Sequence, residues 1–357
     1  MIFCDEARRE SLKSVDKTLH PFHVPHFPRY TPVLTRPKPS DRAAVPPSRR
    51  QFIAVAGATC VAACAATGDG VAPATVAAAE PFARSGGARF RVGLAAYSLR
   101  NYFSFMKGKR KEPASDGKAI DMVGFLDYCV AQGLEAAELT SYFFPPDADD
   151  AYFLELKRQA FLRGVTISGT AIGNNFTQGA GDKMEREIET AIGWIDKAAV
   201  MGAPHIRFFA GKGKELDDHP ERMNEAVAAM KRCAMRAGER GVFLGIENHG
   251  NLRPDQLLPI IHAVDHPWVG INLDTGNFYS DDPYGDLEKC VPFAVNVQVK
   301  VNMKKPDGTE YPADMDRIAG ILRDSGYQGF VVLEYEDENP YEHIPAALDR
   351  MRKALGV

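Results

Sequence analysis

Four polar side chains interrupt otherwise apolar segments in the carboxyl-terminal half of the sequence: Glu247, Asp274, Gln298 and Glu334. Burying an ionised carboxylate without compensation costs several kcal/mol, so these groups either keep their protons or surround a cation. One divalent metal ion would compensate all three carboxylates together. Because carboxylate and amide oxygens are hard donors, we expect Mn²⁺ or Mg²⁺ at this site, with Co²⁺ and Zn²⁺ as alternatives.

A lysine and a histidine follow two of these residues at a spacing of two. Lys300 comes two residues after Gln298, and His249 two residues after Glu247, so in strands each would lie on the same face as its neighbour. A lysine beside a metal ion could donate a proton or bind a substrate oxygen, and the alternative is an ordinary surface lysine. We predict that Lys300 is catalytic and that His249 binds substrate.

Three more polar residues are candidate substrate ligands. Tyr97 and Glu138 come late in apolar segments, and Asn277 follows Asp274 closely. Glu336, in contrast, is expected to be solvated. His205 begins an apolar segment and is expected to be structural.

Eight short apolar or β-branched segments alternate with amphipathic helical stretches in the rest of the chain. The predicted strands are 91–98, 134–140, 165–171, 205–210, 242–248, 269–274, 295–301 and 330–334, and helices are predicted at 122–132, 183–201, 221–240 and 341–355. The repeat of about 34 residues fits a barrel of roughly 250 residues. We therefore predict an α/β protein with a single (β/α)8 TIM barrel over residues 90–357, in which the polar residues at strand ends share one mouth.

A doubly wound open sheet is the alternative fold, but no G-x-G-x-x-G follows the first predicted strand. Gly133, Gly164, Gly241, Gly270 and Gly329 lie at or just before the starts of predicted strands and are expected to cap helices. The loop 102–118 is long enough to form a lid over the mouth.

The amino-terminal residues divide into two predicted parts. Residues 1–47 are rich in Pro, His and Arg, as in a disordered extension or a misplaced translation start. Residues 48–79 resemble a twin-arginine export signal, with Arg49-Arg50, a weakly apolar run and a final Ala77-Ala78-Ala79. We expect export to the periplasm through this pathway, and consider a lipid anchor at Cys64 the weaker alternative.

Composition limits the classes of partner. Of the 357 residues, 45% are hydrophobic and 25% charged, which is typical of a globular protein. Residues 90–357 carry a net charge of −9, so we expect no nucleic-acid partner. We also expect no stable membrane span, since the apolar run in 48–79 is too short, and leave a homo-oligomer open.

From about Arg91 to Val357 the chain resembles the xylose-isomerase-like TIM-barrel superfamily, in its sugar phosphate isomerase/epimerase branch. The resemblance implies Glu, Asp, His and Glu as metal ligands on strands five to eight. Glu247, Asp274 and Glu334 match three of them, whereas Gln298 stands where the family usually has histidine. The family's frequent histidine after the strand-six aspartate is also missing, with Asn277 as the nearest polar residue.

The resemblance further implies that Glu247 and Glu334 act as acid and base on the two faces of a planar enediolate. We therefore predict a metal-dependent isomerase or epimerase of a free ketose, aldose or keto-sugar. The alternative on the same site is a lyase or hydratase of a keto-sugar such as a 3-keto-glycoside, because the same enolate can expel a leaving group. An alternative of another class is a non-catalytic sugar-binding barrel.

Overall fold

The computed structural model describes residues 80–114 and 117–357, and within them eight parallel strands form a closed barrel. The strands are β1 (Arg89–Ala95), β2 (Ala136–Thr140), β3 (Thr166–Ala171), β4 (His205–Phe209), β5 (Phe243–Glu247), β6 (Val269–Asp274), β7 (Ala294–Val299) and β8 (Gln328–Leu333). Each strand pairs with its neighbours in sequence, and β1 closes the barrel against β8. The predicted (β/α)8 barrel is confirmed.

A helix follows every strand. The helices are α1 (Met122–Ala131), α2 (Asp150–Leu162), α3 (Asp182–Met201), α4 (Arg222–Arg240), α5 (Pro254–Val264), α6 (Pro283–Cys290), α7 (Met315–Asp324) and α8 (Pro340–Leu355), with a short additional helix at Gly213–Asp218. The predicted strands and helices agree with these bounds to within a few residues, because both periodicities were strong in the sequence.

Alternation along the strands separates the apolar core from the polar interior. In β7, Val297 and Val299 belong to the core beneath the helices, whereas Asn296 and Gln298 hydrogen-bond inside the barrel. The period of two therefore sends every second residue toward the barrel axis. This alternation determines which residues can reach the mouth.

Three of the five glycines expected to end helices adopt the left-handed conformation: Gly133, Gly164 and Gly241 have φ of +63°, +67° and +68°. The expectation is wrong for Gly270 and Gly329, which lie inside β6 and β8. At Gly270 a Cβ atom would lie 2.6 Å from Val295 Cγ1, so this position needs glycine because of close packing.

Part of the loop predicted as a lid is a small hairpin, Phe105–Met106 paired with Lys109–Arg110. Lys107 lies in its turn with φ of +50°, and its backbone N–H donates to Tyr142 O over 2.8 Å. A second hairpin, Asn302–Lys304 with Glu310–Pro312, follows β7. No helix in 80–114 and 117–357 has the length and apolarity needed to cross a membrane.

The predictions for residues 1–47 and 48–79, including the export signal and Cys64, lie outside the described residues.

Candidate functional site

A small polar cleft opens at the carboxyl ends of the strands, with a cavity volume of about 130 Å³. The residues that line it come from seven of the eight strands or their carboxyl ends and from the first hairpin: Tyr97, Lys107, Thr140, Tyr142, Ala171, Arg207, Phe209, Glu247, His249, Lys300, Glu334 and Glu336. Of the predicted residues, the structure thus brings Tyr97, Glu247, His249, Lys300 and Glu334 together in one cleft.

Glu247, the last residue of β5, has both carboxylate oxygens engaged. Oε2 accepts from Arg207 Nη1 over 2.8 Å, and Oε1 accepts from Asn277 Nδ2 over 2.9 Å and lies 3.2 Å from His249 Nδ1. Arg207 also donates to the hydroxyl of Tyr142 over 2.9 Å. The Glu247 carboxylate is therefore held in one orientation by the Arg207 guanidinium, the Asn277 amide and the His249 ring.

The charge state of Glu247 follows from these contacts. Burial alone would raise the pKa of Glu247, but the Arg207 guanidinium and His249 outweigh it and lower the pKa to about 2. The Glu247–Arg207 pair is nearly inaccessible, with side-chain exposures of 2% and 7%. Glu247 is thus a permanent anion at neutral pH.

Lys300, one residue beyond β7, lies among the remaining carboxylates. Its Nζ is 3.3 Å from Asp274 Oδ2 and 3.3 Å from Glu334 Oε2, and it donates to Glu336 Oε2. Burial lowers the pKa of Lys300, but Asp274, Glu334 and Glu336 together raise it well above its usual value. Lys300 is therefore an ammonium group at any pH near neutral.

Burial raises the pKa of Glu334, although Lys300 opposes that shift. Asp274 is fully buried, and burial likewise raises its pKa well above the usual value. Asp274 Oδ1 accepts from the backbone N–H of Gly276 over 2.8 Å. The two carboxylates beside Lys300 therefore hold protons more readily than Glu247 does.

Below the cleft, four buried side chains from β2, β6 and β7 form a hydrogen-bonded ring. Gln298 Nε2 donates to Glu138 over 2.8 Å, and Asn272 Nδ2 donates to Gln298 Oε1 over 2.6 Å. Asn296 Nδ2 closes the ring with bonds to Glu138 and Asn272. Glu138 and Gln298 thus lie under the cleft and do not line it.

These contacts allow the predicted metal ligands to be tested as a set. The carbonyl oxygen of Gln298 already accepts a hydrogen bond, and Glu247 Oε2 is paired with Arg207. Asp274 Oδ2 accepts no hydrogen bond, but it shares the Lys300 ammonium with Glu334. No group of three or more His, Cys, Asp or Glu side chains in 80–114 and 117–357 is arranged to hold a metal ion. The four residues do not fit a divalent cation as they are placed here.

Sequence reasoning missed several functional candidates. Arg207, Tyr142 and Lys107 line the cleft, and Glu336, expected to be solvated, contacts Lys300 instead. The sequence does contain an indication of Arg207 as a site residue, since it is the one charged residue inside the apolar segment Ile206–Phe209. Glu336 follows Glu334 by two, which places both on one face.

Of the other predicted residues, Asn277 contacts Glu247 and lies in a neighbouring pocket with Lys300. His205 is fully buried deep in the barrel, and burial lowers its pKa to about 3, as a neutral structural residue requires.

A second, larger groove of about 340 Å³ adjoins the cleft and shares Lys107 and Tyr142 with it. Phe144 and Trp194 stack in this groove with ring centroids 6.1 Å apart. Asn174, Glu187 and Lys197 add polar groups. The groove therefore offers an aromatic surface with a polar border beside the cleft.

Known proteins that resemble this chain share the barrel architecture. The profile of the family described as "Xylose isomerase-like TIM barrel" matches residues 126–354. No curated protein matches the sequence.

Solved structures resemble the fold at low identity. A xylose isomerase domain protein from Planctomyces limnophilus has 15% identity and a TM-score of 0.57, over 76% of this chain and 99% of that one. D-psicose 3-epimerase from Clostridium cellulolyticum H10, with D-tagatose, has 17% identity and a TM-score of 0.58, over 74% and 99%. A probable 3-DHS dehydratase from Bacillus anthracis has 18% identity and a TM-score of 0.55, over 72% and 97%. These identities show a shared fold alone.

Proposed function

Because the chain belongs to the xylose isomerase-like TIM barrel family, we propose that it is a sugar isomerase or epimerase that works through an enediolate. The observation that carries the proposal is the pair Glu247 and Glu334, which line one small cleft together with the Lys300 ammonium. The epimerases among the structural neighbours support the same class of reaction.

The two glutamates are suited to different tasks. Glu334, whose pKa burial raises, is the better carrier of a proton at neutral pH, whereas Glu247 is held ionised by Arg207. In the forward step the ionised Glu247 takes the proton from the carbon next to the sugar carbonyl. The C–H electron pair then forms the C=C bond of the enediolate, and the carbonyl oxygen becomes an oxyanion.

The oxyanion needs a positive partner, and Lys300 Nζ is the ammonium group nearest to Glu334 in the cleft. Returning a proton to the opposite face of the same carbon gives the epimer. Returning it to the neighbouring carbon moves the carbonyl and gives the isomer. Glu334, which holds a proton more readily than Glu247, supplies this proton and is left as the carboxylate.

The metal ion expected from the sequence stays a prediction. The match of Glu247, Asp274 and Glu334 to the metal ligands of the family supports it. The hydrogen bond to Gln298 and the ion pairs of Arg207 and Lys300 count against it. The reaction as proposed here uses only the side chains of this chain.

A keto-glycoside lyase is the second candidate, and the adjoining aromatic groove favours it. A glycoside has a second group beyond the sugar, and the groove shares Tyr142 and Lys107 with the cleft. In this reaction the enolate electron pair expels the group on the β-carbon, and Lys300 donates the proton that the leaving oxygen needs. A sugar-binding barrel without catalysis is the third candidate.

We also propose that the chain is exported through the twin-arginine pathway, on the basis of Arg49 and Arg50 before the apolar run. Export would favour free or glycosidic sugars over sugar phosphates as substrates. Cell fractionation of the full chain should find it in the periplasm, and the double variant Arg49→Lys/Arg50→Lys should stay in the cytoplasm. Export of that variant, with Arg42→Lys as the control, would contradict the proposal.

The function itself is tested by proton exchange. Full-length protein is incubated in D₂O with a panel of free ketoses, aldoses and 3-keto-glycosides, and deuterium at carbon is followed by NMR. Exchange with formation of an epimer or isomer supports the main proposal, and release of the aglycone supports the lyase. Binding without exchange across the panel would leave the sugar-binding barrel.

A further inference from the structure

The ammonium of Lys300 has three carboxylate neighbours. Asp274 Oδ2 and Glu334 Oε2 each lie 3.3 Å from Nζ, and Glu336 accepts a hydrogen bond from it. The fourth carboxylate at the mouth, Glu247, is paired with Arg207 instead. Each of the four carboxylates thus has a side-chain cation beside it, with Lys300 shared by three of them and Arg207 held by Glu247.

A glycine makes room for the lysine. A Cβ atom at Gly276 would lie 2.8 Å from Lys300 Cδ and 2.9 Å from Lys300 Cβ. The backbone N–H of Lys300 also donates to Thr275 Oγ1 over 3.1 Å. The loop after β6 therefore holds the lysine stem along a defined path, so that its ammonium reaches Asp274 and Glu334.

Position 298 supports the same interpretation. Gln298 is fully buried, and both ends of its amide are used within the ring under the cleft. Its carbonyl oxygen is bound by Asn272 and its nitrogen by Glu138. The side chain that the family resemblance assigned to the third ligand is thus part of the barrel interior.

We propose that Lys300 Nζ occupies the place expected for a divalent cation, so that this barrel assembles its site and stabilises the enediolate oxyanion without a metal ion. An ammonium fixed among Asp274, Glu334 and Glu336 repels a second cation at short range. Only the catalytic half of this proposal rests on the proposed function. The binding half can be tested without a substrate.

The binding test uses full-length protein freed of metal by chelator and dialysis. Mn²⁺ is titrated in, and the six-line EPR signal of free Mn²⁺ reports binding. Wild-type protein should show no stoichiometric site. Lys300→Met leaves Asp274, Glu334 and Glu336 uncompensated and should bind one Mn²⁺ per chain at least about tenfold more tightly than wild type. Its melting temperature should also rise with Mn²⁺.

Lys107→Met is the matched control, because Lys107 lines the same cleft but its Nζ lies over the Tyr142 ring, 4.5 Å from the centroid. It should bind Mn²⁺ no better than wild type. Lys300→Arg retains a cation and should also gain no site. A tight Mn²⁺ site in the wild type that Asp274→Asn removes would overturn the proposal, and so would a folded Lys300→Met that gains no binding.

If Lys300→Met does not fold, the wild-type titration with Asp274→Asn decides by itself. The catalytic half predicts that proton exchange by the wild type survives excess EDTA. Loss of exchange with EDTA, restored by Mn²⁺, would overturn it. Absence of exchange with every sugar, while the Mn²⁺ titrations behave as expected, would refute the proposed function and leave the metal-free site standing.

Discussion

Arg207 Nη1 donates to Glu247 Oε2 over 2.8 Å, and neither side chain has appreciable contact with solvent. Arg207 lies within β4 and Glu247 ends the neighbouring strand β5, so the barrel itself sets their separation. Removing one partner of such a pair leaves the other as an uncompensated buried charge. This pair therefore links the stability of the barrel to the charge state of the site.

Arg207→Met should lower the free energy of unfolding by about 3–5 kcal/mol, because Glu247 stays buried without its cation. Urea denaturation measures the change. Arg253→Met is the control, since it breaks a pair with Asp217 at a similar distance, 2.9 Å, but with side chains 38% and 50% exposed. It should cost less than about 1 kcal/mol. Equal losses in the two variants would contradict the argument, and the double variant Arg207→Met/Glu247→Gln should regain much of the stability.

Glu334→Gln should lower turnover of the true substrate by about 10²–10⁴-fold, the usual contribution of a general acid or base. Exchange of the substrate proton on the other face, through Glu247, should persist. Isotope exchange and product formation are measured on the same samples. Glu310→Gln, on the hairpin after β7, is the exposed control and should turn over normally. Normal turnover by Glu334→Gln would remove Glu334 from the mechanism.

Glu138 should make the protein less stable as pH rises from about 6.5 to 8. Burial, with repulsion from Glu334, raises the pKa of Glu138 to about 8. The folded state thus keeps a proton that the unfolded state loses near pH 4.5, and stability falls as pH rises toward the folded pKa, by up to about 1.4 kcal/mol per pH unit. His205 has the opposite effect on stability, and only below about pH 6.5. Because burial lowers its pKa in the folded state, the unfolded state binds a proton there that the folded state does not, and stability falls as pH falls.

Glu138→Gln keeps an oxygen for Gln298 and removes the titration. Urea midpoints at pH 6.5 and pH 8 should therefore differ less for Glu138→Gln than for wild type. If both proteins lose the same stability over this range, Glu138 does not titrate there.

Gly245→Ala should destabilise the barrel by about 1–3 kcal/mol, because the interior around His205 is already filled. A Cβ atom at Gly245 would lie 2.3 Å from His205 Nε2. The double variant Gly245→Ala/His205→Ala removes the obstructing ring and should be more stable than the sum of the two single changes. Thermal melts of the four proteins form the cycle, and strict additivity would show that the two sites do not meet.

Trp194→Ala tests the groove beside the cleft. The change removes the aromatic surface that stacks with Phe144, so it should raise KM for an aryl 3-keto-glycoside by about tenfold or more while leaving kcat for a free sugar unchanged. Phe161→Ala, an exposed apolar residue at the end of α2, is the control. Equal KM values for the aryl glycoside in Trp194→Ala and wild type would exclude the groove as a subsite.

The sequence by itself determined the barrel, because periods of two and 3.6 are local properties of a chain. It also determined that Glu247, Asp274 and Glu334 meet at one mouth, since the carboxyl ends of parallel strands must lie at one end of a barrel. The sequence could not decide whether Gln298 binds a metal ion or forms hydrogen bonds inside the barrel. That choice depends on Asn272 and Glu138, which come from other strands.

Only the tertiary structure decided how the buried charges are compensated. The buried carboxylates in the sequence indicate that cations are needed near them, but they do not show which side chains or ions provide the positive charge. Arg207 reaches Glu247 because β4 and β5 are adjacent, and Lys300 reaches Asp274 and Glu334 because its stem passes over Gly276. Such contacts depend on the register and curvature of distant strands, and these are set when the barrel closes.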